Sequence, residues 1–193
     1  MVDRTDAELL AAAAAGDGDA FAAFFRRHVR AVTAYAVRRC SSPDEVADLV
    51  SDTFAAALQA TSRYEPMLPS ALPWLFGIER RVLARQRRKR TGSKRLIEKI
   101  GGSIPRFSGT EEDDIASAID ASRTATALQA ALNQLSASER DVLELVAYDG
   151  LTPREVAIVL DVTPNAARLR LSRARRNMRE MLEDPNLGAE HAV

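Results

Sequence analysis

Apolar residues fall at three- and four-residue steps in segment after segment of this chain, and no long alternating Val/Ile/Thr/Tyr pattern suggests a sheet. Polar punctuation between the segments marks the helix starts. Thr5 followed by Glu8 makes a capping box for a short alanine-rich helix that ends at Gly16. Phe21, Phe24, Phe25, Val29, Val32 and Ala36 then space out a second helix from Asp19 to about Arg39. Ser42-Pro43-Asp44-Glu45 combines an N-cap, a first-position proline and a capping glutamate, the strongest helix start in this half. The third helix, about Pro43 to Ser62, places Val46, Leu49, Val50, Phe54 and Ala57 on its apolar face. Pro66, Pro69 and Pro73 hold an extended loop before a fourth helix with Trp74, Leu75, Ile78, Val82 and Leu83 apolar and a basic far end.

From Thr91 to Ser122 the pattern loosens around Gly101-Gly102, Pro105 and Gly109, as in a linker. Helicity resumes near Thr124. Ser136 and Glu139 form another capping box, and Gly150 closes the helix that follows. Thr152-Pro153 and Thr163-Pro164 then start two helices only eleven positions apart. The first can hold only Pro153 to about Leu160, and Asp161 and Val162 make a tight corner. A short helix, a turn of about three residues and a longer helix constitute a helix-turn-helix, whose second member enters the DNA major groove. On that second helix Ala167, Leu171, Ala174, Met178 and Leu182 line one side. Asn165, Arg168, Leu169, Ser172, Arg173 and Arg176 fall opposite or beside it, able to bond bases and neutralise phosphates. Leu169 suits a thymine methyl group as well as a scattered surface position.

Composition agrees with close-packed helices: 46% hydrophobic but only 5% aromatic residues over 193 positions. The formal net charge is zero, yet Arg80, Arg81, Arg85, Arg87, Arg88, Lys89, Arg90, Lys94 and Arg95 cluster together while Glu111 to Asp114 form an acidic run. The average conceals two opposite fields. Asp44, Asp48 and Asp52 recur every fourth residue on the third helix; like charges at that spacing repel, and a helix dipole accounts for Asp44 but not Asp52. A basic protein partner for this face is the better explanation. The aromatic loop at Tyr64 beside an arginine-rich helix suits unpaired DNA, where bases stack on rings; Trp74 fits a base contact and a core anchor equally. Cys40, the single cysteine, reads as a buried small residue near a helix end, and with His28 and His191 no metal-ligand set appears. The acidic first residues and the apolar stretch cut at Gly16 and Asp17 match neither a secretion signal nor a membrane span, so a bacterial cytoplasm or similar reducing compartment is expected.

In this order, "GDGDAFAAFFRRH", "DEVADLVSDTFAAAL", "PWLFGIERRVLARQRRKR", "LSASERDVLELVAYDGLTPREVAIVLDV" and "LSRARRNMRE" resemble segments of the extracytoplasmic-function class of bacterial sigma factors. The resemblance implies a subunit that binds core RNA polymerase, through its largest and second-largest subunits, recognises a promoter and helps to open it, without cofactor, small-molecule substrate or catalysis of its own. By position, Asp44, Asp48, Leu49, Asp52 and Phe54 would dock on the polymerase clamp helices. Arg63, Tyr64, Trp74, Arg80, Arg81, Arg85 and Arg88 would meet the minus-ten element, and Thr163, Asn165, Arg168, Leu169, Ser172, Arg173 and Arg176 the minus-thirty-five element. The linker would thread toward the active-site and RNA-exit channels, and an anti-sigma protein is a further partner the family suggests. Asn165-Ala166-Ala167 and Asp161 depart from the common family pattern of the reading helix and its corner, which leaves promoter sequence open.

The expectation is an all-α chain: two small helical domains, 1–90 and 124–184, joined by a flexible acidic linker 91–123 and followed by a tail 185–193, the C-terminal domain carrying the helix-turn-helix. A stand-alone dimeric regulator would leave the N-terminal lobe and the aspartate stripe unexplained, and no heptads supply a dimer seam. A sigma-like decoy without DNA contacts sits poorly with the intact arginines. An enzyme would need a nucleophile set, phosphate loop or metal spacing, and none appears.

Overall fold

The computed structural model describes residues 4–98, 128 and 130–183, which are helical with short connections and contain no strand. The chain divides into two compact units. The first is built from α1 (Asp6–Ala14), α2 (Gly18–Val37), α3 (Pro43–Ala60) and α4 (Leu72–Glu98), with a 3₁₀ turn at Thr61–Arg63. Further along the chain come helical residues 130–134, then α5 (Ala137–Ala147), α6 (Pro153–Leu160) and α7 (Pro164–Glu183).

Caps set the starts. Glu8 N–H donates to Thr5 Oγ1 at 3.3 Å while Glu8 returns its carboxylate to Thr5 N–H at 2.7 Å. Ser136 and Glu139 repeat the exchange at α5, and Ser42 accepts from Glu45 N–H at 3.2 Å to open α3. Each such cap is worth about 1 kcal/mol. The helix α2 begins earlier than expected, at Gly18, because Asp17 serves as its cap, accepting from Ala20 N–H at 2.9 Å. The helix α4 runs to Glu98, beyond the boundary expected at residue 90. The rest of the expected linker, 99–123, and the tail 185–193 lie outside the described residues.

In the first unit α1 packs on α2, α2 on α3 and α3 on α4. Leu9, Leu10, Phe24, Val32, Leu49, Phe54, Leu75 and Val82 fill the shared core. Side chains of this size contribute roughly 1.5–3 kcal/mol each when fully buried. Val46 and Val50 only flank the core, and Phe25 stays 38% exposed with its ring 4.6 Å from that of Phe54. Thr53 takes a core place that the apolar pattern did not mark.

In the second unit Ala174 and Met178 of α7 pack with Ala131, Leu132 and Leu135. Arg140 Nε donates to Leu132 O at 2.9 Å, and Asn177 Nδ2 to Glu139 Oε1 at 3.0 Å, so the α5 cap also anchors α7. Among the described residues no helix is long and apolar enough to cross a membrane.

Candidate nucleic-acid and partner interfaces

The corner between α6 and α7 is built by hydrogen bonds that the local sequence supplies. Thr152 and Glu155 form a reciprocal capping box, with Thr152 N–H donating to Glu155 Oε2 at 2.7 Å. At the other end, Asp161 N–H donates to Ile158 O at 3.4 Å and Val162 N–H to Ala157 O at 3.0 Å. This is a Schellman close, and it puts Asp161 in the left-handed region at φ 54°. The helix α1 ends with the same pair of bonds, but there glycine, Gly16 at φ 97°, takes the left-handed place. Asp tolerates that conformation at a cost glycine avoids. Substituting Asp161→Gly is therefore expected to stabilise the chain by about 0.5 kcal/mol, since relief of roughly 1 kcal/mol is partly offset by the freer unfolded chain. Thermal unfolding checks this, and a lowered melting temperature would contradict it.

The helix α7 starts on Thr163, whose Oγ1 accepts from Ala166 N–H at 3.1 Å. Thr163 is exposed, but this cap occupies its side-chain oxygen. Ala167, Leu171, Ala174 and Met178 are buried, as their spacing requires. Leu182 departs from that stripe: it is 50% exposed. Asn165, Arg168, Leu169, Ser172, Arg173 and Arg176 are all exposed, with Leu169 at 51%. Arg176 lies 3.8 Å from Glu180 one turn on, a solvent-exposed pair of small energetic worth. Sequence reasoning passed over Arg175 and Arg179, which are exposed too; two turns of rotation from Arg168 to Arg175 was the signal available.

In the first unit the aspartate stripe is divided. Asp44 and Asp48 are exposed. Asp52, also exposed, accepts from Gln86 Nε2 at 3.1 Å and lies 3.8 Å from Arg85, both on α4. Arg90 pairs with Glu45 at 2.6 Å. Part of the counter-charge that seemed to demand an outside partner is thus supplied by the chain itself. Glu45 is held below the usual carboxylate range, first by Ser41 N–H and then by Arg90, against its partial burial. Leu49 and Phe54, expected on the docking face, are 0% and 4% exposed. They belong to the core, because the same helical period that makes α3 amphipathic turns them away from Asp48.

The candidate minus-ten residues sit on the loop after α3 and along α4. Arg63, Arg80, Arg81, Arg85 and Arg88 are exposed. Arg81 Nε is tied to Gly77 O at 3.0 Å, and Arg85 faces Asp52 as above. Tyr64 and Trp74 meet edge to face, ring centres 4.9 Å apart, and both pack half-buried against the core. Burial, with the negative charge of Asp6 behind it, pushes the Tyr64 hydroxyl above its ordinary pKa. Together they form a half-buried aromatic plate against the core. Burial likewise raises the Cys40 thiol, with Glu45 adding to the shift, which disfavours the reactive thiolate.

One element of this region was invisible to sequence reasoning. Asp6, in the first turn of α1, is 3% exposed and gathers donors from two other parts of the fold. Arg27 Nη1 donates to Oδ1 at 2.7 Å and His28 Nε2 lies 2.9 Å from Oδ2, both from α2. Ala71 N–H, just before α4, donates to Oδ2 at 2.7 Å, with Ser70 Oγ at 3.5 Å. Burial alone would raise the Asp6 pKa, but His28, Ala71 N–H and Arg27 together hold it well below the usual carboxylate range.

Residues 24–92 match the family model for sigma-70 region 2, and residues 125–178 the model for sigma-70 region 4. RNA polymerase sigma factor CnrH of Cupriavidus metallidurans is 32% identical over 186 residues, covering 92% of this chain and 94% of the relative. ECF RNA polymerase sigma factor SigL of Mycobacterium tuberculosis is 27% identical, covering 89% and 94%. The solved structure of CnrH in complex with the cytosolic domain of CnrY covers 92% of this chain and 96% of its own, at TM-score 0.61 and 28% identity. That of RpoE in complex with the anti-sigma factor NepR from Bartonella quintana covers 86% and 98%, at TM-score 0.61 and 26% identity. With both regions matched in order and a relative above 30% identity along nearly its whole length, the chain belongs to the extracytoplasmic-function sigma factors of the sigma-70 family, which direct RNA polymerase to promoters.

Proposed function

We propose that the two units divide initiation between them. The first, within residues 1–98, docks on the polymerase through the exposed Asp44 and Asp48 edge of α3 and offers Arg63, the Tyr64–Trp74 plate and the arginines of α4 to the minus-ten element. The second, within 124–184, reads the minus-thirty-five element with α7, and residues 99–123 span the two. The observation that carries this reading is the sorting of α7 into a buried Ala167, Leu171, Ala174, Met178 stripe and an exposed face of arginines around Leu169 on a capped helix-turn-helix. Arginines there neutralise phosphates and fix the register, while Asn165, Leu169 and Ser172 reach base edges. Tyr64 and Trp74, packed edge to face and only half-buried, would offer ring surface for stacking of an unpaired base, the interaction that favours the open promoter. An anti-sigma protein would hold the factor inactive, as suggested by the solved complexes of the relatives CnrH and RpoE.

Run-off transcription with purified core polymerase on pooled promoter fragments from the source genome tests the proposal. Transcripts that appear only with this protein and share upstream and minus-ten motifs are expected; binding to core without any transcripts would defeat it. Within the same assay set, Arg173→Ala or Arg176→Ala is expected to reduce the salt slope of duplex binding by about one unit for each phosphate the variant no longer neutralises. An unchanged slope would move that side chain off the backbone.

A further inference from the structure

We infer that Asp6 is a positioning residue for promoter opening: its carboxylate on α1 sets where α4 begins and so where the Tyr64–Trp74 plate stands. The inference rests on the reading of that plate as a minus-ten contact. The loop 64–71 has few ties of its own. Its prolines stiffen it, Met67 at its tip is 67% exposed, and Tyr64 and Trp74 bracket it. The fixed point at its far end is the Ala71 N–H, 2.7 Å from Asp6 Oδ2, reinforced by Ser70, whose Oγ also accepts from Leu72 N–H at 3.2 Å. Asp6 therefore acts as a cap for α4 delivered from another helix. Its own placement is set from behind by Arg27 and His28 of α2, and Arg27 Nη2 also donates to Arg4 O at 2.8 Å. The carboxylate is buried and both of its oxygens are engaged, Oδ1 by Arg27 and Oδ2 by His28 and Ala71 N–H, so it has little room to shift. A displaced acceptor would move the start of α4, and Trp74 stands only three residues past Ala71.

Charge and geometry can be separated at this position. Asp6→Asn keeps the length, and its amide oxygen can still accept from Ala71 N–H, while the bond from Arg27 is given up because the NH₂ on that side is itself a donor. Asp6→Glu keeps the charge but carries the acceptor outward by one methylene. Both variants are assembled into holoenzyme with core polymerase, and opening is read from 2-aminopurine in the minus-ten segment of a promoter that the wild type opens. Core binding is measured alongside, and the emission of Trp74, the chain's sole tryptophan, reports the plate in the free protein. Val32→Ala, a core truncation on α2 that leaves every bond to Asp6 in place, serves as a stability control, with all variants compared at equal folded fraction. The expected result is opening reduced about tenfold in Asp6→Glu with a shifted Trp74 emission, and opening near wild type in Asp6→Asn and Val32→Ala, with core binding unchanged throughout. Opening retained by Asp6→Glu, whether or not Asp6→Asn loses it, would overturn the inference. So would a loss in Val32→Ala equal to that in Asp6→Glu. Loss in both Asp6 variants supports the inference if Trp74 emission shifts and overturns it if emission does not. Trp74→Ala separates the two levels: if it opens the promoter normally, the minus-ten reading fails and this inference with it, whereas loss in Trp74→Ala beside wild-type opening in both Asp6 variants removes the inference alone.

Discussion

Asp6→Ala is expected to cost the N-terminal unit about 3 kcal/mol or more, the range found when one partner of a buried ionic cluster is removed. The loss has identifiable parts. Ala71 N–H is left without its acceptor, His28, itself 6% exposed, loses its carboxylate, and Arg27 loses the shorter of its bonds. Urea unfolding at neutral pH measures it, and a loss under about 1 kcal/mol would show that the cluster contributes little beyond its packing. The sign of the acid response follows from the depressed Asp6 pKa. The unfolded side chain titrates near 3.9. The contribution is therefore complete above about pH 4 and drains as pH falls toward the folded value. Wild type should lose more stability than Asp6→Ala between pH 5 and pH 3. Glu8, Asp17 and Glu45, also held below their ordinary values, are common to both proteins and cancel in the difference.

The second large effect is expected at the polymerase. Reversing Asp44 and Asp48 together to lysine should weaken core binding by about tenfold or more, since a combined loss of about 1.4 kcal/mol is already a factor of ten. Binding of the full chain to non-specific duplex should not fall. Competition for core against the wild-type protein, with duplex titrations in parallel, checks both. Unchanged core affinity would remove α3 as the docking edge. Asp52→Lys is a different experiment, because it also sets a cation against Arg85 and discards the Gln86 bond. Its loss would mix docking with the α3–α4 packing.

Residues whose partners lie within one turn were readable in advance. Thr5 with Glu8, Ser42 with Glu45, Ser136 with Glu139, Thr152 with Glu155 and Thr163 with Ala166 all cap as their spacing suggests, because a cap is a three-residue event. The buried stripe of α7 was readable for the same reason, up to Leu182, which is half exposed. Partners far along the chain were not. Asp6 looks like any first-turn acid until Ala71, 65 residues later, arrives beside it. Asp52 looks unsatisfied until α4 brings Gln86, 34 residues on. Leu49 and Phe54 illustrate a third limit: motif position ties them to the docking helix, but only packing reveals that they hold it in place from inside. The candidate site was therefore legible as elements and faces, and not as the tethers that orient them.

The pairing of Glu45 with Arg90 and of Asp52 with Arg85 has a consequence for how the free factor moves through a chromosome-filled cell. Both pairs reach solvent, so each is a weak brake: phosphate must displace the acid to take the arginine, which makes the unbound protein a slightly weaker polyelectrolyte ligand than its arginine count implies.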